Sequence, residues 1–291
     1  MAKVRLVLGS GGARGIAHIG VIEELINDGH EIVEVVGCSM GAVVGGIFCA
    51  GHLTPYKEWL LTLTRSSVFN LTDFTFTRQG FVKGEKVFST ILDMTGPQNI
   101  ENLPISFTAV STDITTMKEV HLNSGDLYRA LRASIAIPGI FTPVIEGKSI
   151  LVDGGVLNPL PIDLVNKNEG DLVIAVNINA ADVEEDHLPG IEKPEKSSKK
   201  WMPLSWPFSK RDTENQPPNY SLIELLQTSY DYTQDRLTEM IIKHYQPDII
   251  VNIPRGSCAT FEFYRAKEMI DLGKKSYHIA SKPQIPETKL K

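Results

Sequence analysis

Along the first half of the chain, short apolar runs are separated by polar loops and by segments with helical spacing. This pattern predicts buried strands joined by helices. Short apolar runs, typical of buried strands, occur at 4–8, 33–36, 103–113 and 150–152. Between the first two runs, residues 16–25 carry apolar side chains at helical spacing. A strand, a loop, a helix and a second strand in succession predict a parallel α/β sheet.

The second half of the chain shows the same alternation around a polar interruption. The pattern predicts two further strands and two further helices, at 171–178, 247–253, 220–244 and 261–278. The first of these helices is amphipathic, with an apolar side formed by Leu222, Leu225, Leu226, Leu237, Met240 and Ile241. Residues 181–219 are charged and contain prolines, which predicts a mobile insertion. We expect one domain over residues 1–291 that carries this insertion.

The run at 33–36 ends in a Gly-x-Ser-x-Gly pentapeptide, residues 37–41, and an Ala-, Val- and Gly-rich segment follows. A strand, a sharp turn and a helix around such a serine form a nucleophile elbow, in which the serine backbone is strained. Ser39 would then lie at the N-terminus of a helix, where free N–H groups favour developing negative charge. The pattern makes Ser39 a candidate nucleophile, and an ordinary strand-to-helix turn is the alternative.

A glycine-rich loop at 9–15 follows the first strand. A dinucleotide-binding fingerprint competes for this loop, but its third glycine position falls on Arg14 and no acidic residue is clearly placed for the ribose. An oxyanion hole is the better interpretation. The amides of Gly11 and Gly12, together with the amide of Met40, would then point towards Ser39.

The strand at 150–152 ends at Asp153, which two glycines follow. A carboxylate at such a strand end can reach the elbow of a neighbouring strand, although Asp-Gly-Gly by itself is an ordinary turn signal. Only the combination with Ser39 makes Asp153 a candidate general base. Asp113, at another strand end, is expected to be a turn or cap carboxylate.

Histidine side chains are the alternative candidates for the general base. The helical spacing of His18 predicts a partly buried, hydrogen-bonded side chain, and His52 follows the end of the elbow helix. His244 and His278 come after Asp153, so a Ser–Asp–His order stays formally open, but both fall on predicted helices. No histidine clusters with Cys, Asp or Glu at ligand spacing, so neither a metal site nor a cofactor is predicted.

Together these motifs resemble the patatin-like phospholipase family, specifically its compact bacterial members. The matching pieces follow the family's order over roughly residues 3–179: the loop 9–15, the pentapeptide 37–41, Ala133-Ser134 through Pro138, Phe141, Pro143, and Asp153-Gly154-Gly155. The resemblance implies a three-layer α/β/α sandwich with a central, mostly parallel sheet. It also implies a Ser–Asp dyad without histidine that hydrolyses acyl esters of lipids without calcium. By position, Ser39 is the nucleophile, Asp153 is the base, and Gly11 and Gly12 belong to the oxyanion loop.

One position of the loop departs from the family pattern, and another matches it with two possible roles. Ser10 stands where the bacterial members usually have another glycine, so a positive φ there would strain the serine or reshape the loop. Arg14 matches the family's basic residue. It has two interpretations, a contact with lipid phosphate and a structural bond to nearby carbonyls.

The composition of the chain limits the cellular compartment and the classes of binding partner that we expect. The 291 residues are 42% hydrophobic, enough for a full core. A net charge of −6 and a charged fraction of 22% do not mark a general nucleic-acid binder. The three cysteines, Cys38, Cys49 and Cys258, lack metal-ligand spacing and predict reduced thiols in the cytoplasm.

A membrane contact is predicted within the polar interruption. Residues 196–211 place Trp201, Trp206 and Phe208 among five basic side chains, which suits a membrane interface with anionic lipid. The alternative is a loop whose aromatic rings pack on the body or cover the acyl site. The apolar runs fall far short of the roughly 20 residues that a spanning helix needs. The expected location is therefore the cytoplasm, with peripheral contact at the inner membrane face as an option.

The sequence leaves three functions open. The first is a lipid acyl hydrolase that acts through an acyl-enzyme. The second is an acyltransferase, in which an alcohol or thiol intercepts the same acyl-enzyme. The third is a regulatory, membrane-docking protein with little turnover.

Overall fold

The computed structural model describes residues 1–71, 73–77, 80–181 and 221–282. Its main sheet contains the strands β1 (Lys3–Leu8), β2 (Glu31–Cys38), β5 (Ser106–Asp113), β6 (Lys118–Leu122), β7 (Val144–Glu146), β8 (Ser149–Asp153), β9 (Leu172–Ala180) and β10 (Ile249–Pro254). A separate antiparallel hairpin is formed by β3 (Phe74–Thr77) and β4 (Gly80–Val82). The apolar runs of the sequence predict six strands of the main sheet, namely β1, β2, β5, β8, β9 and β10.

The helices are α1 (Ala17–Asn27), α2 (Met40–Cys49), α3 (Leu53–Leu61), α4 (Arg65–Leu71), α5 (Glu85–Thr95), α6 (Leu127–Ser134), α7 (Leu222–Tyr245) and α8 (Ala266–Ala280). The predicted succession of strand, loop, helix and strand at the start of the chain is confirmed. The closing helix begins at Ala266 rather than at residue 261, because Phe263–Arg265 form a separate 3₁₀ turn. Among the helices of the described residues, none combines the length and apolarity that crossing a bilayer requires.

The sheet is mostly parallel, as predicted. Its neighbouring strands β10, β9, β1, β2 and β5 all run in the same direction. Alternate residues of the central strands point to opposite faces. One face contributes Val4, Leu6, Leu8, Ile174, Val176 and Ile178 to the main core. The other face contributes Val7, Val173 and Ala175 to a smaller apolar cluster.

Helices cover both faces of the sheet. The helices α1, α2, α6 and α8 pack on the side of the main core. Residues 160–165 and the C-terminal half of α7 pack on the other side, against the smaller cluster. The chain therefore folds as a three-layer α/β/α sandwich.

The antiparallel part of the sheet brings two strand ends together. Ser111 of β5 pairs with β6 and with β8 at once, so these two strands lie on opposite edges of β5. Ala109 and Val110 pair with both β6 and β2, so β2 and β8 share the edge that β6 does not occupy. Cys38 of β2 lies opposite Val110. Asp153 of β8 lies opposite the next residue, Ser111, so the ends of β2 and β8 meet.

The long helix α7 exists as predicted, but the prediction of its buried side is wrong for four of the six residues. The other two, Leu237 and Ile241, are half-buried, and Ile241 packs against the smaller apolar cluster. Leu222 is 75% exposed, and Leu225, Leu226 and Met240 are exposed as well. The polar side chains of Gln234 and Thr238 are buried instead. The reason is that α7 packs with these positions facing the sheet and the turn after β8, rather than with its leucines. The predicted insertion at 181–219, including Trp201, Trp206 and Phe208, lies outside the described residues except for Ala181.

Candidate active site

Ser39 occupies the single residue between β2 and α2. Its backbone has φ 54° and ψ −123°, a conformation that a non-glycine residue rarely adopts. A Cβ on Gly41 would lie 2.1 Å from the carbonyl oxygen of Leu8, and one on Gly37 would lie 2.6 Å from the backbone of Ala42. These close approaches explain why glycine flanks the turn at both positions. The structure thus places Ser39 at the tip of a tight strand-to-helix turn.

The Ser39 hydroxyl contacts Asp153 directly. Its Oγ donates a hydrogen bond of 2.6 Å to Oδ2 of Asp153, which stands 114 positions later in the chain. The other carboxylate oxygen, Oδ1, accepts the backbone N–H of Gly155 at 2.7 Å. Ser39 is 2% exposed and Asp153 is fully buried. The carboxylate is therefore held on one oxygen and directed at the hydroxyl with the other.

Burial sets the protonation behaviour of this pair. Removal from water raises the pKa of Asp153 to about 6, although hydrogen bonds from Ser39, Gly155, Tyr230 and Cys38 favour the charged form and oppose the rise. A carboxylate with this pKa is a stronger base than an exposed aspartate, while it remains ionised at neutral pH. Burial also raises the pKa of the neighbouring Cys38 thiol, so this thiol is neutral.

Two of the three predicted oxyanion donors, Gly12 and Met40, line the same cavity as Ser39. Met40 is the first residue of α2, so its N–H has no partner within the helix. In the loop, the amides of Gly9, Ser10 and Ala13 donate to backbone carbonyls, whereas those of Gly11 and Gly12 find no acceptor within the described part of the chain. Backbone N–H groups that could bind an anion are therefore present near the serine.

The backbone angles and contacts of the loop bear on the roles of Ser10 and Arg14. Ser10 does not have a positive φ, so the strain considered for this position does not arise. All three nitrogens of the buried Arg14 guanidinium donate to the surrounding chain, namely to the carbonyls of Ile178 and Cys258 at 3.0 Å and to Oδ1 of Asn179 at 2.9 Å. This arrangement favours the loop-structuring interpretation of Arg14 over a contact with lipid phosphate.

An apolar cavity begins at Ser39 and runs between helices. The residues that line it are overwhelmingly hydrophobic and include Val43, Trp59, Leu60, Ile91, Ile137 and Phe141. Apolar walls with a few polar groups at one end are typical of sites for small molecules with a hydrophobic body. The polar groups here are the serine and the amides beside it, so an apolar chain can fill the cavity while its polar end meets Ser39.

The histidines within the described ranges do not contact the Ser39–Asp153 pair. Six of the seven fall in the described residues, and among these none donates to or accepts from either member of the pair. His18 is buried with Nε2 3.0 Å from the carbonyl of Gly9, and burial lowers its pKa to about 4. Asp113 accepts hydrogen bonds from Thr115 and Thr116, which confirms the expectation of a turn carboxylate. Within the described residues, no three His, Cys, Asp or Glu side chains converge as a metal site.

Sequence reasoning assigned no role to three residues that the structure brings to the site. Ser134 Oγ accepts the backbone N–H of Ser39, Tyr230 of α7 approaches Asp153, and Gln234 of the same helix donates to Tyr230. Ser134 stood within one of the motifs. For Tyr230 and Gln234, the available signal is the i, i+4 spacing of polar residues on α7. The leucine pattern of the same helix is stronger and predicts a different buried side.

Comparison with known proteins gives consistent relatives. A family model described as "Patatin-like phospholipase" matches residues 6–166. An uncharacterised NTE family protein of Mycobacterium tuberculosis strain H37Rv is 33% identical over an alignment of 321 residues, which covers 94% of this chain and 89% of the relative. Neuropathy target esterase sws of Drosophila melanogaster is 33% identical over 188 residues, covering 62% of this chain and 13% of the relative. The crystal structure of VipD from Legionella pneumophila aligns with a TM-score of 0.43 and 13% identity, covering 96% of this chain and 67% of that one.

Proposed function

The chain belongs to the patatin-like phospholipase family, and from this premise we propose that it is a lipid acyl hydrolase in which Ser39 is the nucleophile and Asp153 the general base. The observation that carries the proposal is the 2.6 Å hydrogen bond from Ser39 Oγ to Asp153 Oδ2 at the head of an apolar cavity. The names of the relatives, a patatin-like phospholipase and a neuropathy target esterase, support a lipid ester as the substrate.

The first half of the reaction forms an acyl-enzyme. Asp153 accepts the hydroxyl proton of Ser39 while Oγ attacks the ester carbonyl carbon, and the carbonyl electron pair moves onto oxygen. The amides of Gly11, Gly12 and Met40 bind the resulting oxyanion, and each such donor is typically worth about 3 kcal/mol in the transition state. When the oxyanion collapses, the alcohol leaves with the proton that Asp153 held. The acyl chain stays bound to Ser39 in the cavity.

The second half releases the fatty acid. Asp153 takes a proton from a water molecule as the water oxygen attacks the acyl carbon, and the same amides bind the second oxyanion. Collapse breaks the bond to Oγ, and Ser39 regains a proton from Asp153. These steps use only side chains and amides of the chain, so we propose that turnover is independent of calcium. Equal rates with and without a calcium chelator would support this.

Location and membrane contact are part of the proposal. The cysteines Cys38, Cys49 and Cys258 are free and buried, which fits the reducing conditions of the cytoplasm. We propose peripheral contact with anionic membranes through residues 196–211, on the composition of that segment alone. Sedimentation with anionic vesicles, of the full chain and of a chain lacking 196–211, tests this. Equal binding of both proteins would refute it.

The catalytic assignment is tested with Ser39→Ala and Asp153→Asn on p-nitrophenyl butyrate. Both variants should lose turnover while they keep the wild-type circular dichroism, and only the wild type should react rapidly with a fluorophosphonate probe. The matched controls Ser124→Ala and Asp271→Asn change exposed residues and should behave as wild type. An active Asp153→Asn would refute the dyad.

Product analysis separates the alternatives. Hydrolysis gives free fatty acid even when glycerol or coenzyme A is added. Acyl glycerol or acyl-coenzyme A as the main product would identify an acyltransferase. A wild-type protein that neither turns over esters nor reacts with the fluorophosphonate would point to the regulatory alternative.

A further inference from the structure

A line of polar side chains connects the glycine loop with Asp153 across α7. The phenol oxygen of Tyr230 lies 3.5 Å from Oδ1 of Asp153. The side-chain amide of Gln234, one helical turn later, donates to that phenol oxygen at 2.8 Å. The same amide nitrogen lies 3.4 Å from Oγ of Ser10 in the glycine loop.

The chemistry of these groups fixes the direction of the bonds. The amide nitrogen of Gln234 can only donate, so the oxygen of Tyr230 is the acceptor in their bond. An ionised carboxylate can only accept, so the remaining phenol hydrogen points to Asp153. A distance of 3.5 Å is long for this bond, but hydrogen bonds in unliganded catalytic sites often tighten when the substrate binds.

We propose that Tyr230, held by Gln234 and Ser10, is a positioning residue that orients the carboxylate of Asp153 towards Ser39. The inference rests on the proposed function, because it assigns a role to Asp153 as the base. Oδ1 would be held by the phenol of Tyr230 as well as by the amide of Gly155, which leaves Oδ2 for the serine. A donor to the carboxylate also favours its charged form and so limits the rise in pKa that burial causes.

The packing around Gln234 supports this role. Gln234 is only 4% exposed, although Leu222, Leu225 and Leu226 of the same helix are exposed. A buried amide is costly unless it is hydrogen-bonded, and its partners here are Tyr230 and Ser10. A Cβ on Gly155 would lie 1.9 Å from its amide nitrogen, so Gly155 leaves the space that Gln234 fills. The contact also gives the serine at position 10 a function that glycine would not have.

The titratable groups around Asp153 come from several elements. Cys38 at the end of β2 has Sγ 3.9 Å from Oδ1, and Tyr230 approaches from α7. Glu119 of β6 and Asp231 of α7 act at longer range, on the Cys38 thiol and on the Tyr230 phenol respectively. Apart from burial, the strongest influences on the pKa of Asp153 are hydrogen bonds and not neighbouring cations. Loss of the Tyr230 donor should therefore shift this pKa upwards.

The test is Tyr230→Phe, with Tyr232→Phe as the matched control because Tyr232 lies on the same helix and is 67% exposed. The pH dependence of kcat/KM for p-nitrophenyl butyrate should show an acid limb near pH 6 in the wild type. Tyr230→Phe should move the limb up by about 0.5–1 pH unit and lower kcat several-fold, with little change in KM. Tyr232→Phe should reproduce the wild-type profile.

Further variants guard against misfolding. Gln234→Met and Ser10→Gly should each move the acid limb in the same direction by a smaller amount. An acid limb that stays in place in Tyr230→Phe would overturn the proposal, because loss of packing alone lowers activity without moving the acid limb. If Tyr230→Phe does not fold, an unmoved acid limb in the folded Gln234→Met and Ser10→Gly variants would overturn it.

A measurement that does not depend on enzymatic turnover distinguishes failure of this inference from failure of the proposed function. The ¹³Cγ shift of Asp153, assigned by comparison with Asp153→Asn, reports its protonation in each variant. If Ser39→Ala stays active but the Asp153 titration still moves in Tyr230→Phe, the function fails and the positioning contact stands. If the titration does not move, the contact fails whatever the activity is.

Discussion

The hydroxyl of Ser134 holds the backbone of Ser39 from outside the nucleophile turn. Its Oγ accepts the N–H of Ser39 at 2.9 Å and donates to the carbonyl of Val110 at 2.6 Å. A non-glycine residue with a positive φ is strained by about 1–3 kcal/mol and keeps that conformation only when its surroundings fix it. Through Ser134, α6 ties the strained turn to the sheet.

We expect Ser134→Ala to weaken both stability and catalysis. The substitution leaves a buried N–H and a buried carbonyl without their partner, which should cost about 1–3 kcal/mol of unfolding free energy. It also frees the turn, so kcat should fall about tenfold or more with KM nearly unchanged. Urea denaturation and ester kinetics measure the two effects. Ser276→Ala, at a buried serine of α8, is the control. Equal kcat values for both variants would contradict this role.

The buried carboxylate of Asp153 should make the protein less stable as pH rises. Its pKa is about 6 in the folded protein, against about 4 in an unfolded chain, so the folded state binds the proton more tightly. The unfolding free energy therefore falls between about pH 4 and pH 6 on account of this group, and it remains lower above that range. A difference of two pKa units corresponds to about 2–3 kcal/mol.

Asp153→Asn should accordingly be inactive yet more stable. We expect it to exceed the wild type by about 2 kcal/mol of unfolding free energy near pH 8 and to lose this advantage near pH 4. Urea denaturation at the two pH values measures the difference. Asp271→Asn, at an exposed aspartate, should follow the wild type at both. A variant less stable than the wild type near pH 8 would mean that the ionised carboxylate stabilises the fold.

Local patterns in the sequence predict much of the fold and the residue types of the site. The Val-rich run before residue 37 and the glycines at 37 and 41 are enough to indicate a strand, a tight turn and a helix, because these features depend on neighbours in the chain. The contact between Ser39 and Asp153, in contrast, depends on residues that are distant in the chain. It depends on β8 taking the edge of β5 where β2 ends, and no spacing in the sequence encodes that arrangement.

The orientation of α7 shows why the sequence does not predict the contacts that this helix makes with the site. Leucines at helical spacing predict an apolar buried side, yet hydrophobicity competes here with specific polar contacts. Tyr230 contacts Asp153 and Gln234 contacts Ser10, both distant in the sequence. Leu222, Leu225 and Leu226 of the same helix are exposed instead. A pattern of apolar residues cannot predict contacts that depend on the tertiary fold.

The cavity should set a preference for the length of the acyl chain. Ile137 lines it, and a larger side chain there should obstruct a long chain more than a short one. For Ile137→Phe we expect kcat/KM to fall about tenfold or more on a p-nitrophenyl palmitate, with a change of about twofold or less on the butyrate. Ile145→Phe, at an exposed position of β7, should leave both unchanged. An equal loss on both esters would place the acyl chain elsewhere.

Arg14 provides a test of whether the loop or the substrate uses its charge. Its guanidinium donates to two carbonyls and to Asn179, whose own amide donates to the carbonyl of Ser10 at 2.6 Å. Arg14→Met removes these bonds, so the unfolding free energy should fall by about 2–4 kcal/mol. Because the loop carries the amides of Gly11 and Gly12, kcat/KM should fall by the same factor on an uncharged ester and on a phospholipid. Arg236→Met, at an exposed arginine of α7, should change neither. If Arg14 bound lipid phosphate, the loss would instead be confined to the phospholipid and would appear mainly in KM.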